Sequence, residues 1–309
     1  MRLLIVNFHY VRDVKPGAGI YPISVAEFGA QIEVLGRHYT FLSQSELLGC
    51  LDAEQRPAKA YCLLTFDDAL REQWSALDLL QRLSIPALCF ATTEAVFERK
   101  PHDVHKLHFV FSQLREGQLF DWLRDEHGMD DIAMDDAILA EEYRYDTPPM
   151  RRIKYYLNFV LQGEEGRRIV DGLFALVAPD EQSFSDALYM TQEEVVTLAR
   201  RGMLGTHTRS HRPLATLSDE DLRAELAGSG TLLEDATGTP IRAVSYPYGG
   251  PAAVSHRVAR AARDAGLRLG LTMIRGMNED ADLRDGLLLK RVDTNDAPGG
   301  KLNSTRYLP

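Results

Sequence analysis

The sequence predicts an α/β fold, a distorted (β/α) barrel with a mostly helical insertion, and three observations support this. Short apolar runs alternate with amphipathic helical patterns, as parallel strands joined by helical crossovers do. Three of these runs stop abruptly at residues suited to metal or proton chemistry, which parallel strands would gather on one rim. From about Pro101 to Met190 the alternation gives way to helical periodicity alone.

In chain order, strand-like runs fall near residues 3–9, 39–42, 61–66, 86–92, 202–208, 243–248, 267–273 and 287–293. Ser24 to Arg37 reads as a helix with Val25, Phe28, Ile32 and Leu35 on one face. Ser218-Asp219-Glu220-Asp221 has capping-box character and opens a helix running toward Gly238, while Ser255 to Ala265 is a helix stopped by Gly266. In the irregular region, helical periodicity at His105–Leu114 and Arg151–Leu161 flanks an acidic stretch, Asp121 to Asp136, and a turn at Thr147-Pro148-Pro149. The expectation is one catalytic domain over 1–309, with residues 100–190 a helical insertion that shapes access to the rim.

At 309 residues and 45% hydrophobic content the chain can bury a large core. A net charge of −10 argues against a nucleic-acid partner, which would call for a basic stripe. The short apolar stretch at the N-terminus is interrupted by His9 and Arg12, too soon for a signal peptide or membrane anchor. Three cysteines, Cys50, Cys62 and Cys89, have neither an even count nor C-x-x-C spacing and suit a reducing compartment. A cytoplasmic location and no integral membrane segment are therefore expected; oligomeric state has no sequence signature.

The three strand ends carry the chemistry. Thr65-Phe66-Asp67-Asp68 closes the apolar run Ala60–Leu64, and His207-Thr208-Arg209-Ser210-His211 follows Gly202–Thr206. Val244-Ser245-Tyr246-Pro247-Tyr248-Gly249 ends in a Pro/Gly turn. With nine histidines in the chain an H-x3-H pair arises easily by accident, and adjacent aspartates often cap a helix. Three such ends fit one barrel mouth better than three coincidences. One helical turn would bring the two imidazoles onto a common face. A carboxylate with two imidazoles makes a facial set that leaves positions open for water and substrate. Zinc is the default divalent ion by ligand type, and nickel, cobalt or iron fit the same donors.

These motifs resemble those of the polysaccharide deacetylase family, carbohydrate esterase family 4: a T-F-D-D tetrapeptide, an H-[ST]-x-x-H segment and a P-Y-G turn. The match in order and spacing spans about Tyr61 to Gly249. The resemblance implies a barrel of the deacetylase type and makes Asp68, His207 and His211 metal ligands and Asp67 the general base. It makes the backbone N–H of Tyr248 an oxyanion donor, with Tyr246 a second candidate on the substrate side. It also implies hydrolysis of an N-acetyl group on an amino sugar, nucleotide- or lipid-linked sugars included. The chemistry is coherent: a divalent ion activates water and polarises the carbonyl, while Asp67 accepts a proton.

Departure of the amine needs an acid, and histidine is the usual donor near neutral pH. The commonest form of the family has an L-x-L-x-H segment after its other motifs, but Leu287–Asp293 contains no histidine. Leu3–Tyr10 is an apolar strand tipped by His9, and it looks like the circularly permuted arrangement of some exopolysaccharide deacetylases, in which the first strand supplies the acid. His9 is therefore the candidate acid; its alternative role is to fill a strand-end hydrogen-bond position. The glycine that usually follows T-F-D-D is Ala69, and the arginine that often precedes the P-Y-G turn is replaced near Ser245. Arg291 is the candidate substitute, either holding Asp67 ionised or pairing elsewhere. The run Lys290–Asp296 is similar to one in the subgroup encoded with surface-polysaccharide genes, which adds Asp293 to the substrate-side candidates.

Other readings of the same residues stay open. A deformylase acting on an N-formylated nucleotide- or lipid-linked sugar would keep this fold and site, and formate against acetate release separates the two. A non-catalytic sugar-binding relative would bind glycan without metal. Adjacent carboxylates are poorly placed to flank a glycosidic bond, so a glycosidase leaves the histidines unexplained. Asp103, His105 and His108 lack a further ligand at diagnostic spacing and fit a histidine-bearing amphipathic helix better than a second metal site.

Overall fold

The computed structural model describes residues 1–15, 20–129, 134–161, 163–178, 180–302 and 304–309. They form two compact units, one of Met1–Val14, Pro22–Lys100 and Ser185–Pro309, the other of Lys15–Tyr21 and Pro101–Phe184. The first unit begins with β1 (Arg2–Phe8), α1 (Val25–His38), β2 (Thr40–Phe41), α2 (Gln44–Asp52), β3 (Ala60–Phe66), α3 (Trp74–Arg82), β4 (Leu88–Ala91) and α4 (Thr93–Phe97). The second contributes α5 (Asp103–Gln113), α6 (Glu116–His127), α7 (Asp136–Glu142), α8 (Pro148–Tyr155) and α9 (Gly163–Ala175), and α10 (Glu181–Leu188) ends back in the first. There α11 (Gln192–Arg200), β5 (Leu204–Thr206), α12 (Asp219–Arg223), α13 (Ser229–Thr237), β6 (Ala243–Ser245), α14 (His256–Asp264), β7 (Leu269–Leu271) and β8 (Val292–Asp293) follow.

All the strand pairings are parallel, in the order β7-β6-β5-β4-β3-β1-β8, with β2 beside β3. A parallel bridge from Leu271 to Leu289, just ahead of β8, links the two ends of that order. The sheet is thus a distorted (β/α) barrel. Strand periodicity builds its interior, because alternate residues face the same side. Leu3 and Ile5 of β1, Leu63 of β3, Leu88 and Phe90 of β4, Ala243 of β6, Leu269 and Leu271 of β7, and Leu289 form one buried apolar cluster. Gly205 is needed in β5 because a Cβ there would sit 2.5 Å from the Phe90 ring.

Local signals set the helices. Ser24 and Glu27 form a reciprocal capping box on α1, as Thr191 and Glu194 do on α11. α1 buries Phe28, Ile32 and Leu35 as its periodicity predicts, together with Gln31, whose amide donates to the Thr294 carbonyl; Val25 is only partly covered. The helix opened by Ser218 stops at Gly238, which takes a left-handed φ of 66°. Between α12 and α13 it passes through a π-helical turn, Ala224–Gly228.

Six sequence runs are longer than the strands they predict, most of all 287–293, which yields only Val292–Asp293, and 267–273, which yields Leu269–Leu271; at two of them the cause is a turn. Residues 202–208 yield only Leu204–Thr206, since Thr208 turns to a φ of 65°. Residues 243–248 yield Ala243–Ser245, because Pro247 has no N–H for a ladder and Tyr248 takes a φ of 61°.

The second unit has its own core, in which Leu107, Val110 and Phe111 of α5 and Val170, Leu173 and Phe174 of α9 share a cluster with Leu123 of α6 and Ile153 of α8. Lys106 is buried between Asp171 and Glu181. The expected turn at Thr147-Pro148-Pro149 instead starts a helix, because Thr147 caps α8 and proline is tolerated at its first positions. Residues 130–133 of the acidic stretch lie outside the described residues. Among those described, no helix is long and apolar enough to cross a membrane, and the three cysteines are unpaired.

Candidate active site

The barrel interior is apolar up to its last layer and polar there. The alternation that points Leu3 and Ile5 inward carries Asn7 to the top of β1, and Leu63 is followed in the same sense by Thr65 and Asp67. In β6, Ala243 is followed by Ser245. Asn7, Thr65 and Ser245 are fully buried, and so is Arg291, which precedes β8. On the opposite, helix-facing side of the sheet Phe8 and Phe66, paired across β1 and β3, stack at 5.3 Å, and Phe8 receives Phe28 of α1 edge-on at 5.0 Å.

Arg291 reaches Asp67 with both prongs of its guanidinium. Nη1 donates to Oδ1 at 3.0 Å and Nη2 lies 2.9 Å from Oδ2. Asn7 adds an amide donor to Oδ2 at 3.0 Å, and its own Oδ1 accepts from Arg291 Nη1 at 2.9 Å. The remaining guanidinium protons go to Ser245 Oγ at 2.8 Å and the Thr272 carbonyl at 2.9 Å. Burial alone would raise the Asp67 carboxyl, but Arg291, with His207 and His9, outweighs it and holds the group at about 2.

Asp68, His207 and His211 converge beside this clamp. Each offers one donor atom, and the three atoms lie within 4.8 Å of one another. His207 Nε2 is 3.4 Å and His211 Nε2 3.5 Å from Asp68 Oδ1. His207 Nδ1 lies 2.7 Å from the Ser245 carbonyl, which can only accept, so Nδ1 carries a proton and Nε2 faces Asp68, where a bound ion would take its lone pair. That arrangement is the usual support of a metal-ligating histidine. Two imidazole nitrogens and a carboxylate oxygen, nearly excluded from solvent, fit a divalent transition ion.

The imidazoles do not share a helical turn. The loop between them uses two left-handed residues, Thr208 and His211 at φ 57°, because it lies beyond a strand end with no helix to continue it. Seven non-glycine residues among those described have positive φ, and five of them are Asp68, Ala69, Thr208, His211 and Tyr248. Asp68, at φ 73°, shows how consecutive aspartates reach one site: the turn reverses the alternation of the strand. Strain concentrated this way is a mark of a functional site.

The other sequence candidates divide. His9 follows β1 and brings Nε2 to 3.9 Å from Asp67 Oδ2, with its side chain 37% exposed. Tyr248 packs edge-on against His211 at 5.1 Å. Tyr246 is a correction to the substrate-side reading: it is fully buried, with its hydroxyl donating to the Leu287 carbonyl, because it alternates away from Ser245 and faces the opposite side of β6. Asp293 Oδ1 accepts from both the backbone and the side-chain amide of Asn295 and closes a turn. Asp103, His105 and His108 lie on α5; the His105 and His108 rings are 6.0 Å apart, and the Asp68 group is the one metal-type cluster among the described residues.

Sequence reasoning missed Asn7 and Gln73. The Gln73 amide donates to the carbonyls of His9 and Asp67 at 2.9 and 2.7 Å, tying two strand-end loops together. Neither carries a local signal, since each acts on residues distant in sequence or on backbone.

The polysaccharide deacetylase family model matches residues 173–270, which include His207, His211 and Tyr248. No curated protein matches the chain. Among solved structures, the Streptococcus pyogenes deacetylase PplD in complex with acetate is similar over 100% of this chain and 99% of its own, with TM-score 0.62 and 16% identity. IcaB from Ammonifex degensii is similar over 96% and 94%, with TM-score 0.60 and 17% identity. The BpsB deacetylase domain from Bordetella bronchiseptica is similar over 94% and 95%, with TM-score 0.54 and 17% identity. At these identities the likeness is one of fold. The family match covers residues 173–270, so that segment is similar to the polysaccharide deacetylase family.

Proposed function

We propose that the protein is a metal-dependent carbohydrate N-deacetylase that removes the acetyl group of an N-acetylated amino sugar in surface-glycan or glycoconjugate biosynthesis. The observation that carries this is the convergence of Asp68, His207 and His211 beside a carboxylate, Asp67, that Arg291 holds ionised. Asp68, His207 and His211 are the residues that would hold the ion, zinc by ligand type. When bound, it supplies Lewis acidity to the acyl carbonyl and to a water molecule.

In this reading Asp67 is ionised throughout the working pH range and accepts the proton of the attacking water at Oδ2. A carboxyl held at about 2 releases a proton readily, which suits handing it on rather than storing it. His9, 3.9 Å from that oxygen and open to solvent, protonates the departing amine. The backbone N–H of Tyr248, oriented by its left-handed conformation, meets the oxygen that gains charge. The buried, unpaired Cys62 and Cys89 support a reducing compartment, hence a cytoplasmic site of action. The test is acetate release from N-acetylated amino-sugar oligomers and nucleotide-sugars by purified protein, with and without chelator. Release that survives exhaustive chelation overturns the reading.

A further inference from the structure

Resting on the metal-site reading above, we propose that Glu225 is a positioning residue that sets the spacing of the His207 and His211 imidazoles. The loop between them has left-handed residues at Thr208 and His211, so helical hydrogen bonds do not hold it. What holds it comes from two other elements: the Thr93 and Glu94 N–H groups of α4 donate to the Thr208 and Arg209 carbonyls at 3.2 and 3.0 Å, and Glu225 takes the loop's own amides. Glu225 Oε2 accepts from the backbone N–H groups of Arg209 at 2.9 Å and Ser210 at 3.0 Å, and Oε1 accepts from the Ser210 hydroxyl. These are two of the three residues between the imidazoles.

Consecutive amides converging on one carboxylate oxygen form an anion cradle, here filled by the protein's own side chain. Glu225 is 5% exposed, and a buried carboxylate is costly unless donors meet it. The helix places it with a π-helical turn, Ala224–Gly228, whose extra residue per turn leaves Glu225 and Leu226 both buried. Nearby, Ser229 accepts the Thr206 hydroxyl, and Thr206 Oγ1 accepts the Thr208 N–H, so the same helix also steadies the loop's first turn. Glu225 lies outside the metal-type cluster and acts through the loop.

The experiment is a titration of chelator-treated protein with Co2+, followed by visible absorption, for the wild type, Glu225→Ala and Glu225→Gln. Glu225→Ala should weaken Co2+ binding roughly 10- to 100-fold and change the absorption band, as lost support of metal ligands does. The glutamine carbonyl oxygen can still accept both amides, so Glu225→Gln should stay within about threefold of wild type. A purely structural role would lower the thermal midpoint of Glu225→Ala while leaving Co2+ affinity and spectrum unchanged in the folded protein, and that result overturns the proposal. If Glu225→Ala fails to fold, Glu225→Asp, one methylene short of the loop, is read the same way. A wild-type protein that binds no Co2+ overturns the metal-site reading itself, a result distinct from equal binding by wild type and variant.

Discussion

Arg291 and His207 meet at one residue, Ser245: the guanidinium donates to its hydroxyl at 2.8 Å, and the imidazole Nδ1 lies 2.7 Å from its carbonyl. The clamp on the base and the orientation of a ligand therefore share a single strand end, through different atoms. Ser245→Ala removes only the hydroxyl. It should leave Co2+ stoichiometry intact and lower kcat by roughly tenfold, the effect of one hydrogen bond to a charged donor, about 1.5 kcal/mol. Loss of Co2+ from this variant would show that the side chain, and not the carbonyl, orients His207.

Removing the guanidinium tests the clamp through pH. Asp67 sits at about 2 in the folded protein, below the ordinary carboxylate value, so the pair contributes stability that is present above roughly pH 4 and is lost as pH falls toward 2. In Arg291→Met the cation is gone, the effect of burial dominates, and the Asp67 carboxyl moves up. The variant should be about 3–5 kcal/mol less stable than wild type near pH 7, with the gap narrowing on acidification as Asp67 becomes neutral. Denaturant unfolding of both proteins at pH 7 and pH 4.5 measures this. A gap independent of pH would mean that Arg291 does not compensate Asp67.

Metal and proton transfer should separate by mutation. His207→Ala or His211→Ala should lose bound metal and all turnover, because two ligands rarely hold a divalent ion tightly. Asp67→Asn keeps size, turns one acceptor oxygen into a donor within the Arg291 and Asn7 clamp and is a far poorer proton acceptor, so metal should remain while kcat falls by roughly 10²-fold or more. Elemental analysis alongside steady-state rates gives both readouts. Full occupancy in either histidine variant refutes the ligand assignment.

The role of His9 is distinguished by the leaving group. His9→Ala should retain metal and substrate binding, seen as an unchanged KM, and lose most of kcat on an N-acetyl sugar. On an activated acetyl ester, whose leaving group needs little protonation, the same variant should lose far less. Equal losses on both substrates would remove His9 from proton donation.

The sequence made short-range groupings visible and long-range partners invisible. Asp67-Asp68 and the His207/His211 pair are legible because each motif is contiguous, and strand ends of a parallel barrel point one way. Arg291 could be named but not placed, since its sequence position does not distinguish pairing elsewhere from pairing with Asp67, 224 residues away. Tyr246 was misjudged because motif proximity does not tell which face of a strand a side chain takes. Strand limits ran long at β7 and β8 as well as at β5 and β6; at the last two, left-handed turns at Thr208 and Tyr248 leave no hydrophobic signature. The helical reading of the histidine pair failed for the same reason.

Asn7 and Arg291, hydrogen-bonded to each other and both to Asp67, are 284 residues apart, and β1 finds its second partner only when β8 docks. Until that pairing forms, Asp67 lacks its cation, and burial favours the protonated carboxyl. Closing the barrel and charging this carboxylate are one event.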